Sequence, residues 1–190
     1  MADKIRSFIA FPLPESVIAY IKTVQDEFRS QGFRMRWVKP ENIHLTLKFL
    51  GDIHPADIDK IAQIMADTVK EVAVLKLSAK GVGVFPGIRN PRVLWIGLKG
   101  DTFPLIQVQK ELEEKLDGAG FPKESRSFKA HLTIARIKER LDSGRLVKAM
   151  ETFGNFESET FSAENMILYK SDLKPGGAVY TKLKTVSLKS

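Results

Sequence analysis

Two of the three histidines in this chain stand two residues before a threonine: His44 and Thr46 in "NIHLTLKFLG", His131 and Thr133 in "AHLTIARI". Imidazole titrates near neutrality, so one copy can accept a proton while its twin donates one. A facing pair suits in-line displacement at phosphorus, one ring activating the attacking oxygen and the other protonating the leaving oxygen. Each threonine hydroxyl can then hydrogen-bond a non-bridging oxygen, where negative charge grows in the transition state. One His-x-Thr carries no weight, because a lone histidine is more often structural. Two of three histidines carrying it by chance is roughly a 1% event.

Strands must hold these pairs. Residues i and i+2 of a strand share a face, so each His–Thr pair points one way. Leu45, Leu47 and Phe49 in the first copy, and Leu132 and Ile134 in the second, then point toward a core. The same alternation puts Lys48 on the His44–Thr46 face as a second cation for phosphate. The two histidines are 87 residues apart, and that offset carries "IRSFIAF" (5–11) onto "RVLWIGL" (92–98) without a gap. Both segments read as strands. A helical stripe follows each: Val17, Ile18, Ile21, Val24 and Phe28 in one, Phe103, Ile106, Leu112 and Leu116 in the other. After each His-x-Thr strand comes another helix. The first opens at Pro55 with Ile58, Ile61, Met65 and Val69 on one face; the second runs near Asp142–Phe153 and stops at Gly154. Strands return at "VLKLSAKGVGVF" (74–85), "FSAENMILYKS" and "AVYTKLKTVSL".

The expected fold is therefore α+β and bilobal: two β-α-β-α-β lobes related by a pseudo-twofold, with antiparallel sheets lining a central cleft. Residues 1–190 form one domain in this reading, with the repeat covering about 5–85 and 92–171. The segment "KGVGVFPGIRNPR" (80–92) is expected as a cleft-side loop.

Composition narrows the partners. A net charge of +7 and a pI near 9.5 favour a polyanion, nucleic acid being the commonest. There is no cysteine, hence no disulfide and no thiol chemistry. No apolar run approaches the roughly 20 residues of a membrane span, and charge and proline break the N-terminal "MADKIRSFIAFPLP". A cytoplasmic protein without membrane contact is expected. No H-E-x-x-H, H-x-H or Walker-type loop occurs. His44, His54 and His131 could make a three-histidine metal site, but His54 precedes Pro55 at a helix start and reads as a cap. Neither metal nor cofactor is expected. "KESRSFK" places Lys123, Arg126 and Lys129 where an RNA backbone could pass, and Phe85 could stack a terminal base. Trp37 and Trp95 read as structural.

"WVKPENIHLTLKFLG", "FPGIRNPRVLWIGL", "HLTIAR" and "LYKSDLKPGGAVYTKL" resemble the two-histidine (2H) phosphoesterases, in particular the prokaryotic RNA 2′,3′-cyclic phosphodiesterase branch, historically called 2′-5′ RNA ligase. The resemblance runs from about residue 5 to 188. It implies both His-x-Thr strands lining a groove and metal-independent opening of a terminal 2′,3′-cyclic phosphate on RNA, tRNA fragments among the candidates, to a 2′-phosphomonoester. It further implies His44 as general acid, His131 as general base, Thr46 and Thr133 as phosphate-binding threonines, and Arg136 as a phosphate-binding arginine. Arg136 lies five positions after His131, so an unbroken strand would turn it to the opposite face unless a bulge re-aims it. A monomer is expected. The same residues leave open ligation in the reverse direction, a small cyclic nucleotide or ADP-ribose cyclic phosphate as substrate, and an RNA-binding module without catalysis.

Overall fold

A computed structural model describes residues 4–189. Its elements follow the periodicities. "IRSFIAF" is β1 (Ile5–Phe11), and the amphipathic stripe after Pro14 is α1 (Glu15–Ser30), burying Val17, Ile21, Val24, Gln25 and Phe28. A two-residue strand, β2 (Arg36–Trp37), precedes β3 (Leu45–Ile53). Next come α2 (Ile58–Val69), β4 (Leu75–Phe85), β5 (Val93–Gly100), α3 (Thr102–Gly118) and β6 (His131–Arg136). The chain ends with α4 (Ser143–Glu151), β7 (Phe161–Ala163), β8 (Asn165–Lys174) and β9 (Gly177–Ser187). Asp142 caps α4, its carboxylate accepting from the Arg145 N–H at 2.7 Å.

Two antiparallel sheets result, in the orders β3-β1-β8-β9 and β2-β6-β5-β4-β7. The architecture is α+β and bilobal. The chain's halves, however, do not each close a lobe. β4 from the first half pairs with β5, while β8 from the second half pairs with β1. β2 also crosses over, pairing with β6. Each sheet thus borrows two strands from the other half, β8 and β9 in the first and β2 and β4 in the second. One continuous core fills the space under both sheets and includes Ile9, Phe28, Leu45, Ile61, Leu77, Ile96 and Leu112.

Two expectations about faces change. On α3 the buried stripe is Leu105, Val108, Leu112 and Leu116, while Phe103 is 72% exposed and Ile106 42%. Both stripes share Leu112 and Leu116, and packing chose the one reaching the core through Leu105. The expected loop at 80–92 is also shorter, because Lys80–Phe85 belong to β4 and pair with β5.

Lys48 does not share the face of Thr46. In the register of β1 with β3, Ile9 lies opposite Lys48 and Ala10 opposite Thr46, so Leu47 is an extra residue in a bulge. Leu47 and Lys48 are both buried as a consequence, and Phe49 turns outward at 53% exposure. The Lys48 ammonium, only 1% exposed, donates to Glu113 Oε1 at 2.6 Å and to the Pro122 carbonyl at 2.5 Å. Glu113 Oε1 also accepts from the Glu124 N–H at 2.6 Å. This ion pair ties β3, α3 and the segment leading to β6 together. Removing one partner strands a buried charge, so Lys48→Met should cost about 3–5 kcal/mol in denaturant unfolding, and adding Glu113→Gln should restore part of it. A Lys48→Met variant within about 1 kcal/mol of the parent would show that the pair holds nothing.

Candidate active site

His44 lies at the mouth of β3 in the first sheet, and His131 opens β6 in the second. Both rings are anchored alike. His44 Nδ1 is 2.8 Å from the Asn42 carbonyl, and His131 Nδ1 is 2.6 Å from the Lys129 carbonyl. A carbonyl only accepts, so each Nδ1 carries the hydrogen and donates it, leaving each Nε2 as the basic nitrogen.

Aromatic rings fix each imidazole. Phe8 stacks on His44 with centroids 4.6 Å apart, and Tyr180 meets it edge-on at 5.3 Å. His131 meets Phe85 edge-on at 5.0 Å, and Phe85 stacks on Trp95 at 5.0 Å. Phe85 is thus a brace for His131, with Lys129 Nζ 5.7 Å from its centroid. Trp95 in turn lies flat across β4 because residue 83 is glycine: a Cβ there would stand 2.2 Å from the indole. Burial pushes the His44 pKa down to about 4, opposed by its bond to the Asn42 carbonyl. Burial also lowers that of His131, opposed by the Lys129 carbonyl. Burial thus favours the neutral ring at both histidines in the free protein.

The bulge of the first motif recurs in the second. Along β5, Leu94 pairs with Ala135 and Trp95 with Thr133, leaving Ile134 as the extra residue. Ile134 and Ala135 are both buried, and Arg136 turns back to the exposed face that carries His131 and Thr133. The arginine is therefore aimed by a bulge. Gln25, a polar residue on the buried stripe of α1, holds that bulge: its Nε2 donates to the Ile134 and Val38 carbonyls, both at 2.9 Å. Its sequence signal was a glutamine at core spacing between Ile21 and Phe28. Leu47 and Ile134 are again 87 residues apart, so Phe49 occupies the place of Arg136 in the other copy.

The two antiparallel sheets line a central cleft. β3 and β6 are in contact, and the Arg136 guanidinium, with Arg6, draws down the Tyr180 hydroxyl pKa that burial raises. The first sheet's wall carries a small apolar cluster of Phe8, Ala10, Ile167 and Tyr169 with Tyr180 beside it. Beside His44 a hollow of about 470 Å³ is lined by Asn42, Tyr169, Tyr180, Lys39 and Lys182. Sequence reasoning missed Phe8, Phe49, Tyr169 and Tyr180 on this wall, since pattern alone cannot separate cleft aromatics from core ones. His54 stands apart: its N–H donates to the Asp57 carboxylate at 3.3 Å at the start of the turn before α2. Among the described residues, no three His, Cys, Asp or Glu side chains gather as a metal-binding group, and no helix is long and apolar enough to cross a membrane.

The family model described as LigT-like phosphoesterase matches residues 11–95 and 100–180. The chain belongs to this family. It is 31% identical over 186 residues to the RNA 2′,3′-cyclic phosphodiesterase of Methanothermobacter thermautotrophicus, covering 97% of this chain and 100% of that one. To the RNA 2′,3′-cyclic phosphodiesterase of Methanocaldococcus jannaschii it is 34% identical over 179 residues, covering 94% and 98%. Among solved structures, a Thermus thermophilus protein superposes with a TM-score of 0.75 at 28% identity, covering 97% of this chain and 98% of that one. E. coli LigT complexed with 3′-AMP shares the fold, with a TM-score of 0.75 at 24% identity and coverage of 99% and 100%. Both His-x-Thr pairs of this LigT-like chain lie within the matched segments.

Proposed function

We propose that this phosphoesterase opens 2′,3′-cyclic phosphates at RNA ends to 2′-phosphomonoesters by acid–base catalysis between His44 and His131, without a metal. The observation that carries the reading is the matched pair of imidazoles, each with Nδ1 spent on a carbonyl two residues back and Nε2 left for chemistry. The relatives' activity and the chain's excess of basic residues support RNA as the substrate class.

In this scheme His131 Nε2 takes a proton from water as its oxygen attacks phosphorus. The P–O3′ bond breaks in line, and His44 Nε2–H gives its proton to O3′. Thr46, Thr133 and Arg136 hold the non-bridging oxygens as their charge grows. His131 ends protonated and His44 neutral, so the proton returns through solvent before the next turnover. The assignment of acid and base follows the family resemblance. Phe49, an exposed ring on the Thr46 wall, offers the terminal base a stacking surface.

Because His44 is neutral in the free enzyme, it must take up its proton as the anionic phosphate binds. Both ring pKa values lie below 6.5 without substrate, so kcat/KM should be bell-shaped with its optimum on the acidic side of neutrality. The phosphate anion stabilises the protonated pair, so the alkaline limb of kcat should lie at higher pH than that of kcat/KM. Superimposed limbs would rule out proton uptake on binding. The direct test uses an oligonucleotide ending in a 2′,3′-cyclic phosphate, incubated with excess EDTA, with the product's phosphate position then identified. Undiminished turnover to a 2′-phosphate is expected; a strict requirement for a divalent cation would sink the mechanism.

A further inference from the structure

The cationic face of the cleft continues over the edge of the second sheet. Arg36 of β2 is in register with Arg136 of β6, so both side chains leave the sheet on the same side. Like charges directly opposite on antiparallel strands are destabilising, which favours an anion between them. The same edge opens into a hollow of about 680 Å³ lined by Arg29, Arg34, Arg36, Trp37, Lys138 and one carboxylate-bearing residue, Glu139. Arg29 is committed: it pairs with Asp26 at 2.5 Å, and its guanidinium lies 4.8 Å from the Trp37 centroid. Arg34, Arg36 and Lys138 are exposed, and none is in an ion pair among the described residues.

The segment 123–129, the other basic route out of the cleft, is less free. Lys123 lies 3.9 Å from Asp117, Lys129 sits over Phe85, and Glu124 is drawn into the Glu113 cluster and onto the Phe49 N–H. Arg126 is exposed and in no ion pair among the described residues, so this route offers one uncommitted cation against three at the β2 edge.

We propose that the β2 edge is the path by which the RNA body leaves the active site. The phosphodiester next to the cyclic end lies against Arg36, one step beyond the reacting phosphate that Arg136 holds, and the preceding nucleotide occupies the hollow, its backbone against Arg34 and Lys138. This rests on the proposed RNA cyclic phosphodiesterase activity and adds a subsite to it. A cyclic mononucleotide fills only the catalytic cleft; an oligonucleotide also gains the three cations.

The test compares 2′,3′-cyclic CMP with a trinucleotide ending in a 2′,3′-cyclic phosphate, on the wild type and on Arg34→Gln/Arg36→Gln/Lys138→Gln. The variant should raise KM for the trinucleotide about tenfold or more at low salt, and leave kcat/KM for cyclic CMP within about twofold. Loss of the contacts to the trinucleotide's two internal phosphates should also make the salt dependence of its affinity shallower by about 1 in log–log slope. The matching variant of the 123–129 segment, Lys123→Gln/Arg126→Gln, should leave trinucleotide KM nearly unchanged. If the wild type turns over both substrates and the β2-edge variant behaves like it, or if only the 123–129 variant loses affinity, the path is wrong and the activity stands. If the wild type turns over neither substrate, the activity itself fails. Circular dichroism confirms that each exposed-residue variant is folded.

Discussion

Replacing His131 with alanine is expected to lower kcat for a cyclic-phosphate end by about 10²–10⁴, the usual worth of a positioned base. His44→Ala should cost a similar factor through loss of the acid. The double variant should lose far less than the product of the two, because neither group completes the reaction alone. The His131 ring sits half-exposed in the cleft against Phe85, so the chain should still fold without it. His44 fills more space, between Phe8 and Tyr180, and His44→Gln separates loss of the acid from loss of packing. Steady-state kinetics with thermal unfolding decides the matter. A His131→Ala protein that unfolds early yet keeps its residual rate would make the histidine a structural residue.

Arg136→Ala should come next in size, lowering kcat by about 10²–10³ on both the mononucleotide and the oligonucleotide. Its proposed partner is the reacting phosphate, present in every substrate. Arg136→Lys should recover only part of the rate, since an ammonium replaces a fork that can grip two oxygens with a single point charge. This separates Arg136 from its neighbour Arg36, whose loss should be felt only by substrates with a second phosphate. If Arg136→Ala leaves cyclic CMP turnover intact, the phosphate is held by other groups.

The elements that position the site were legible wherever one periodicity dominated. β1 and α1 fall at the ends read from "IRSFIAF" and the stripe after Pro14, because each segment offers one apolar face. The two His-x-Thr pairs were legible because spacing survives whatever the register does. What failed was the alternation beyond each threonine. A strict period of two put Phe49 in the core and Lys48 in the cleft, and the Leu47 bulge exchanges them. Superposing the two copies by their common offset would have exposed this, since Phe49 then aligns with Arg136 and Lys48 with Ala135. The trading of β4 and β8 between sheets carries no local signal, being a choice among distant pairings. On α3, two stripes sharing Leu112 and Leu116 were equally periodic, and only contact with the core distinguishes them.

That trade of strands has a mechanical meaning. A cut in the turn at residues 86–92 would yield one fragment holding β1 and β3 without β8, and another holding β5 and β6 without β4. Each fragment would expose the raw edge of an unfinished sheet, the kind of surface that recruits another chain. Either piece could complete its sheet only by taking two strands from its counterpart, so the two walls of the cleft are laced together. Such lacing loads the fold with pairings between residues far apart in the chain, β1 with β8 above all, and folding should be slow for its size. It also means that the distance between the two imidazoles is governed by covalent crossings as well as by side-chain packing, like the span between two banks fixed by the bridges already built.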